Sequence, residues 1–220
     1  MSWPAAIVAL TLAGLTCALT PAVLRALPEP MGPDTVGKPG YAALATPRFA
    51  WGVGAVSLAG GLIAFGALPA EHWLAWVALT SVNALACVID ARTTWLPARL
   101  SHAGWVIAAA GVPVVAVSHG SAWPVLGAAA GAIALGGGFH LLWRLSGAFG
   151  YGDVRLAATI GAVTGLVDAD LVWVSAFAGT MVGALIGIGF RLGGRRGAFP
   201  YGPGLLAGPF VALGVRALMG

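Results

Sequence analysis

The chain has 220 residues, of which 59% are apolar and only 8% are Asp, Glu, Lys or Arg. A soluble domain of this size carries about 25% charge on its surface, so neither a soluble globule nor a disordered chain fits this composition. Two cysteines, Cys17 and Cys87, both in long apolar runs, exclude a disulfide scaffold, and a mean hydropathy of +0.92 points to a protein that crosses a membrane several times.

A spanning helix needs about 20 mostly apolar residues. In chain order the sequence predicts eight: Trp3–Leu27, Phe49–Leu68, His72–Ile89, Ala103–Val117, Ala122–Leu145, Val154–Val167, Leu171–Phe190 and Pro203–Met219. The fold class is therefore all-α, a polytopic membrane protein with about eight transmembrane helices forming a single membrane domain over 1–220. The first segment has no Lys or Arg before its apolar run, and that run is too long for a cleaved signal. It is read as a retained helix. Residues 28–48, rich in Pro and Gly, are predicted to form an irregular loop. The pairs Gly127/Gly131, Gly161/Gly165 and Gly183/Gly187 have the spacing of close helix packing.

The basic residues alternate by loop. Arg25, Lys38 and Arg48 follow span 1, and Arg92 and Arg99 follow span 3. Arg144 and Arg155 flank the junction of spans 5 and 6, while Arg191, Arg195 and Arg196 follow span 7. Only Arg216, of the 11 basic residues, falls on the other face, with Glu71, Asp168 and Asp170. By the positive-inside rule the basic face is cytoplasmic, and both termini lie outside. The expected location is the cell membrane. A pI near 9.7 is thus a topology signal. The arginines are too scattered for nucleic-acid binding, and no such partner is expected.

Two carboxylates stand apart from the other acidic residues. Asp90 closes span 3 after Ala86-Cys87-Val88-Ile89, and Asp153 opens span 6 in Gly150-Tyr151-Gly152-Asp153-Val154-Arg155-Leu156. Two spans separate them, so both lie at the same membrane boundary. A carboxylate there is costly to desolvate and marks a candidate functional site. Its structural alternative is a helix-end charge, and Asp153 in particular would suit a helix N-terminus. As a pair, neighbouring carboxyl groups resist ionising together, which provides a general acid and a general base from one residue type. Gly150 and Gly152 leave room for a peptide backbone to approach Asp153. After Asp90, Thr93 and Leu96 lead to Pro97, which ends helical continuation.

At these residues the sequence resembles the type IV prepilin leader peptidases, the bacterial branch of the GxGD intramembrane aspartic proteases. Three motifs carry the resemblance, over about residues 50–219. The first is Asp90 with Thr93, Leu96 and Pro97. The second is Gly150-Tyr151-Gly152-Asp153 with Arg155 and Leu156. The third is Pro200-Tyr201-Gly202-Pro203 before the last helix. Arg155 stands where the family usually has Lys, and Tyr201 where it has Phe.

The resemblance implies an aspartic endopeptidase with Asp90 and Asp153 as catalytic residues. Thr93, Pro97, Gly150, Gly152, Arg155, Tyr201, Gly202 and Pro203 would support the site or the substrate. The substrate would be a prepilin or pseudopilin with a short basic leader, a Gly and an apolar helix, cleaved on the cytoplasmic side. Many bacterial members carry two Cys-x-x-Cys pairs in the loop after span 1, holding zinc beside an N-methyltransferase function. Here residues 28–48 contain no cysteine. A zinc site of that kind cannot form, and a peptidase without the methylating part is expected.

Two other readings of the residues are a proton- or ion-coupled transporter, which also uses intramembrane carboxylates, and a structural membrane subunit of an assembly machine. The histidines, His72, His102, His119 and His140, show no metal-ligand spacing. His140 is expected to be hydrogen-bonded within the bundle. No metal and no cofactor are expected.

Overall fold

The structure is a computed structural model, and it describes residues 2–31, 35, 37–146, 149–194 and 199–219. Gly32, Pro33 and Asp34 of the first loop, and Arg195 and Arg196 of the loop after span 7, lie outside the described residues.

Eight long helical segments make up the described chain: α1 Trp3–Ala26, α2 Pro47–Ala67, α3 Ala70–Thr93, α4 Ala98–His119, α5 Trp123–Ser146, α6 Tyr151–Gly165, α7 Ala169–Leu192 and α8 Gly202–Met219. All but α6 are long and apolar enough to cross a membrane. The chain is an all-α polytopic membrane protein. Local chemistry sets the ends. Thr46 accepts from the Phe49 N–H at 3.3 Å with Pro47 in the first turn of α2, and Asp168 accepts from the Leu171 N–H at 2.8 Å at the start of α7. Gly120, at φ 58°, closes α4 in the left-handed conformation that glycine adopts without strain.

The large apolar side chains face outward as well as inward. Trp3, Ile7, Leu10, Leu19, Ile133, Phe177 and Leu185 are all exposed, on helices whose opposite faces are packed. That pattern suits lipid as the surrounding solvent. Helices α1 and α2, α5 and α6, and α7 and α8 form the closest pairs. The glycine pairs explain two of them. A Cβ on Gly127 or Gly131 would run into the carbonyl of Gly165 or Gly161, so the α5 and α6 backbones touch directly. On α7, Gly183 and Gly187 instead receive aromatic rings, at 2.5 Å from Tyr201 and 3.0 Å from Phe199 for an added Cβ.

Two helices differ from the sequence-based boundaries in ways that matter. Helix α3 begins at Ala70 and continues to Thr93, so Asp90 sits one turn inside the helix and does not end it. Within α3, residues Ala78–Val82 form a π-helical segment, with the Asn83 side chain donating to the Ala78 carbonyl at 3.0 Å. Such bulges absorb an extra residue in a helix and turn its following side chains to a new face. Helix α6 has only 15 residues, about 22 Å at 1.5 Å per residue. It is packed among α3, α4, α5, α7 and α8 and has little lipid to span. Asp90 and Asp153 are thus carried by the two most enclosed helices of the bundle.

One end of the bundle gathers Ala26, Thr94 and Leu96 with Arg99, Lys38 and Arg155. Arg216 and Asp168 form a 2.6 Å ion pair at the other. The single basic residue that broke the loop alternation therefore has an acidic partner on its own face.

Candidate active site

Asp90 and Asp153 are both buried, at 4% and 7% exposure, and lie within electrostatic range of each other. Each has one backbone donor. The Gly202 N–H donates to Asp90 Oδ2 at 2.9 Å, and the Gly150 N–H donates to Asp153 Oδ2 at 3.0 Å. The second bond is a helix cap. Asp153 is the third residue of α6, and its own N–H donates back to the Gly150 carbonyl at 3.0 Å. A cap satisfies the first-turn N–H groups and fixes the carboxylate's position. One Asp153 oxygen remains for other chemistry.

Leu96 links the three motifs. An added Cβ on Gly152 would stand 2.6 Å from Leu96 Cβ, and one on Gly202 would stand 2.9 Å from Asp90 Oδ2 and 3.4 Å from both Leu96 methyls. Gly152 and Gly202 are therefore present because the Asp90 loop passes over both. Arg155 reaches the same loop. Its guanidinium donates to the Leu96 carbonyl at 3.4 Å and lies 5.5 Å from the Tyr151 ring. It holds α6 to residues 94–97.

The remaining expected residues shape the approach. Thr93 is fully buried. Its hydroxyl donates to the Ile89 carbonyl at 2.9 Å and accepts from the Trp95 N–H at 3.2 Å, turning the chain out of α3. Pro97 caps α4, accepting from the Leu100 and Ser101 N–H groups at 3.1 Å. Tyr201 is packed between Phe139, Phe149 and Phe199. Burial raises the Tyr201 phenol above its usual value, the Thr180 side-chain hydrogen bond lowers it, and the nearby Asp153 raises it further. A neutral phenol at this position is the consequence. Pro203 follows Gly202 in the first turn of α8 and lines an apolar groove beside Asp90. His140 rests against the rings of Trp143 and Tyr151, at 5.3 and 6.1 Å. Among the described residues, no three His, Cys, Asp or Glu side chains converge as metal ligands do.

Part of the site was not anticipated. The loop after α1 folds over the Asp90 loop. Lys38 Nζ donates to Thr94 Oγ1 at 2.7 Å and lies 4.8 Å from the Trp95 ring, while Tyr41 meets Trp95 edge-on at 6.2 Å. Glu29 holds this arrangement from within, accepting from the Tyr41 and Ala42 N–H groups at 2.8 Å each. Burial and the Glu29 charge both raise the Tyr41 phenol, which stays neutral. Thr94 itself is left-handed, at φ 58°, the one non-glycine residue with positive φ among those described. Its N–H donates to the Asp90 carbonyl at 2.7 Å. The available signal was Lys38, the single lysine in a chain with ten arginines.

No curated protein and no solved structure matches the chain. The profile of the type IV leader peptidase family matches residues 76–190, just over half of the sequence. The matched segment holds Asp90, Leu96, Gly152 and Asp153 and stops before Gly202, which the fold returns to Asp90. The chain belongs to the type IV leader peptidase family, a family of proteases, and is a multi-pass membrane member of it.

Proposed function

We propose that the protein is an aspartic endopeptidase that removes the N-terminal leader of type IV prepilin-like precursors at the cytoplasmic face of the cell membrane. The observation that carries this reading is the pairing of Asp90 and Asp153 as buried carboxylates near one end of the bundle, each held by a backbone N–H. Neighbouring buried carboxyl groups resist ionising together, so one serves as the acid while the other serves as the base. The ionised carboxylate takes a proton from water as it attacks the peptide carbonyl. The protonated one supplies a proton to the carbonyl oxygen, giving a gem-diol. On collapse the carboxyl that took the water proton passes it to the departing amine nitrogen, and the other carboxylate recovers a proton from a gem-diol hydroxyl as the C–N bond breaks. No metal or cofactor enters this scheme, and no methyl transfer is assigned to the chain.

A transporter would place its carboxylates near the bilayer midplane to alternate between two faces. Both aspartates here lie within one turn of a helix end. The basic loops at this end support a cytoplasmic orientation by the positive-inside rule. Co-expression with pilin-like precursors, followed by N-terminal sequencing of the product, tests the reading. The expected product begins just after the leader's last residue. A precursor that keeps its leader in the presence of the well-expressed protein, across a panel of such substrates, contradicts it.

A further inference from the structure

An apolar groove of about 490 Å³ opens to the lipid side between α2, α3 and α8. Its walls include Val56 and Ala59 of α2, Cys87 and Ala91 of α3, and Pro203 and Ala207 of α8. We infer that this groove seats the apolar helix of the precursor, so that the peptide bond before that helix is delivered to Asp90 and Asp153. The inference rests on the endopeptidase reading above and adds to it where the substrate lies.

Continuity with the site is the main support. Ala91 directly follows Asp90, and Pro203 directly follows Gly202, whose N–H holds the Asp90 carboxylate. Cys87, one turn before Asp90, lies within electrostatic range of both aspartates and also lines the groove. From Pro203 the groove runs along α8 to Val211, eight residues or ~12 Å of helix. A segment lying along it would have its upper end beside Ala91 and Pro203, the chain neighbours of Asp90 and Gly202. In the endopeptidase reading the precursor helix begins right beside its cleavage site, so its first two turns would lie in the groove.

The lining chemistry favours a helix over a lipid chain. Water-driven burial does not pull helices together in lipid, and close packing over small residues does. Ala59, Gly60, Ala91 and Ala207 give such a surface, while Val56 and Val211 form exposed shoulders. A volume of this size accepts several large apolar side chains from one helix face. Another groove, about 140 Å³ between α5, α6 and α7, is lined by Ala130 and Ala134 and includes no neighbour of either aspartate, so it serves as the internal control.

The test uses a precursor that the wild-type protein cleaves, with a photo-crosslinking phenylalanine analogue at Ala59 or at Ala130 in an Asp153→Asn background. The Ala59 position should form an adduct with the first two turns of the precursor's apolar helix, and the Ala130 position should not. In the active protein, Ala59→Phe should raise KM for that precursor by about tenfold with a smaller change in kcat, while Ala130→Phe leaves both unchanged. If Ala59→Phe fails to accumulate in the membrane, Ala59→Val reads the same effect at smaller size. Adducts at Ala59 with lipid only, with a second copy of the chain only, or no stronger than at Ala130 would overturn the groove assignment while cleavage stands. Absence of cleavage by the wild-type protein removes the endopeptidase reading first, and the groove with it.

Discussion

The Gly202 N–H donates to Asp90 Oδ2 at 2.9 Å, joining residues 112 positions apart. This bond brings the start of the last helix onto the carboxylate at the end of the third. It also explains why position 202 has no side chain. A Cβ there would stand 2.9 Å from Asp90 Oδ2, close enough to displace the carboxylate, with Leu96 blocking the other direction at 3.4 Å. Gly202→Ala keeps the donor but shifts the acceptor. A displacement near 1 Å at a reacting group costs roughly 10²-fold in rate. Cleavage by Gly202→Ala should fall by that order, with protein level in the membrane maintained, as measured by quantitative precursor processing.

Gly152 makes a sharper version of the same prediction. An added Cβ meets Leu96 Cβ at 2.6 Å, which is not the flexible end of that side chain. Gly152→Ala should reduce cleavage by at least tenfold, through about 1–3 kcal/mol of overpacking. Trimming Leu96 to Ala in the same chain should give no rescue, because Leu96→Ala retains the clashing atom. Recovery of activity in that double variant would show that the Leu96 methyls, and not its Cβ, set the constraint.

The loop after α1 should behave as a fastening for residues 94–97. Glu29→Ala removes the acceptor of the Tyr41 and Ala42 N–H groups, and Lys38→Met removes the donor to Thr94. Hydrogen bonds to charged groups contribute about 1.5–3 kcal/mol each. Glu29→Ala should therefore expose the Tyr41–Ala42 bond to chymotrypsin in membranes opened to the cytoplasmic side, where the wild-type loop, with Tyr41 buried, resists. Lys38→Met should lower cleavage several-fold. Equal chymotryptic rates at Tyr41 in Glu29→Ala and wild type would mean the loop is already free.

Much of this arrangement was readable from residues alone, and the unread part has a physical reason. Helices twenty residues long in lipid announce themselves by composition, and loop charge orders them. Asp90 and Asp153 stand out because a carboxylate at a helix end in lipid needs a reason, whereas Gly202 enters only through the family resemblance. Lys38, Glu29 and Thr94 do not stand out. A lysine and a glutamate in a Pro- and Gly-rich stretch look like ordinary solvated charges, and the left-handed turn at Thr94 uses a residue type that gives no warning. The extent of α3 was also hidden. Ala91, Arg92 and Thr93 read as a polar loop, yet their backbone groups continue the helix to a terminus closed by the Thr94 N–H bonding to the Asp90 carbonyl. The groove beside Asp90 could not be read because its three walls come from α2, α3 and α8.

Orientation can be checked by cysteine labelling in a background lacking Cys17 and Cys87. Arg92 and Gly194 are exposed at the end that holds the arginine-rich loops, and Ala169 is exposed at the other. Arg92→Cys and Gly194→Cys should react with an impermeant maleimide only from the cytoplasmic side, and Ala169→Cys only from outside. Reaction of Arg92→Cys and Ala169→Cys from the same side would break the eight-helix alternation.

Residues 28–48 contain no cysteine, so chelators should leave cleavage intact and the purified protein should hold no stoichiometric zinc. Methyl transfer from S-adenosylmethionine to the new N-terminus by this chain alone would contradict the assignment of peptidase activity without methylation.

The most direct measurement is precursor cleavage by Asp90→Asn, Asp153→Asn and the double variant, each normalised to its level in the membrane. Asparagine keeps size and hydrogen bonding and removes ionisation. Each single substitution should lower the rate by several orders of magnitude, and the double one should be scarcely worse, because the two groups act as a unit. Asp168→Asn, which breaks the ion pair with Arg216 at the opposite end, should retain activity. A well-expressed Asp90→Asn or Asp153→Asn protein that still releases the mature N-terminus at near wild-type rate would contradict the assignment of the catalytic pair.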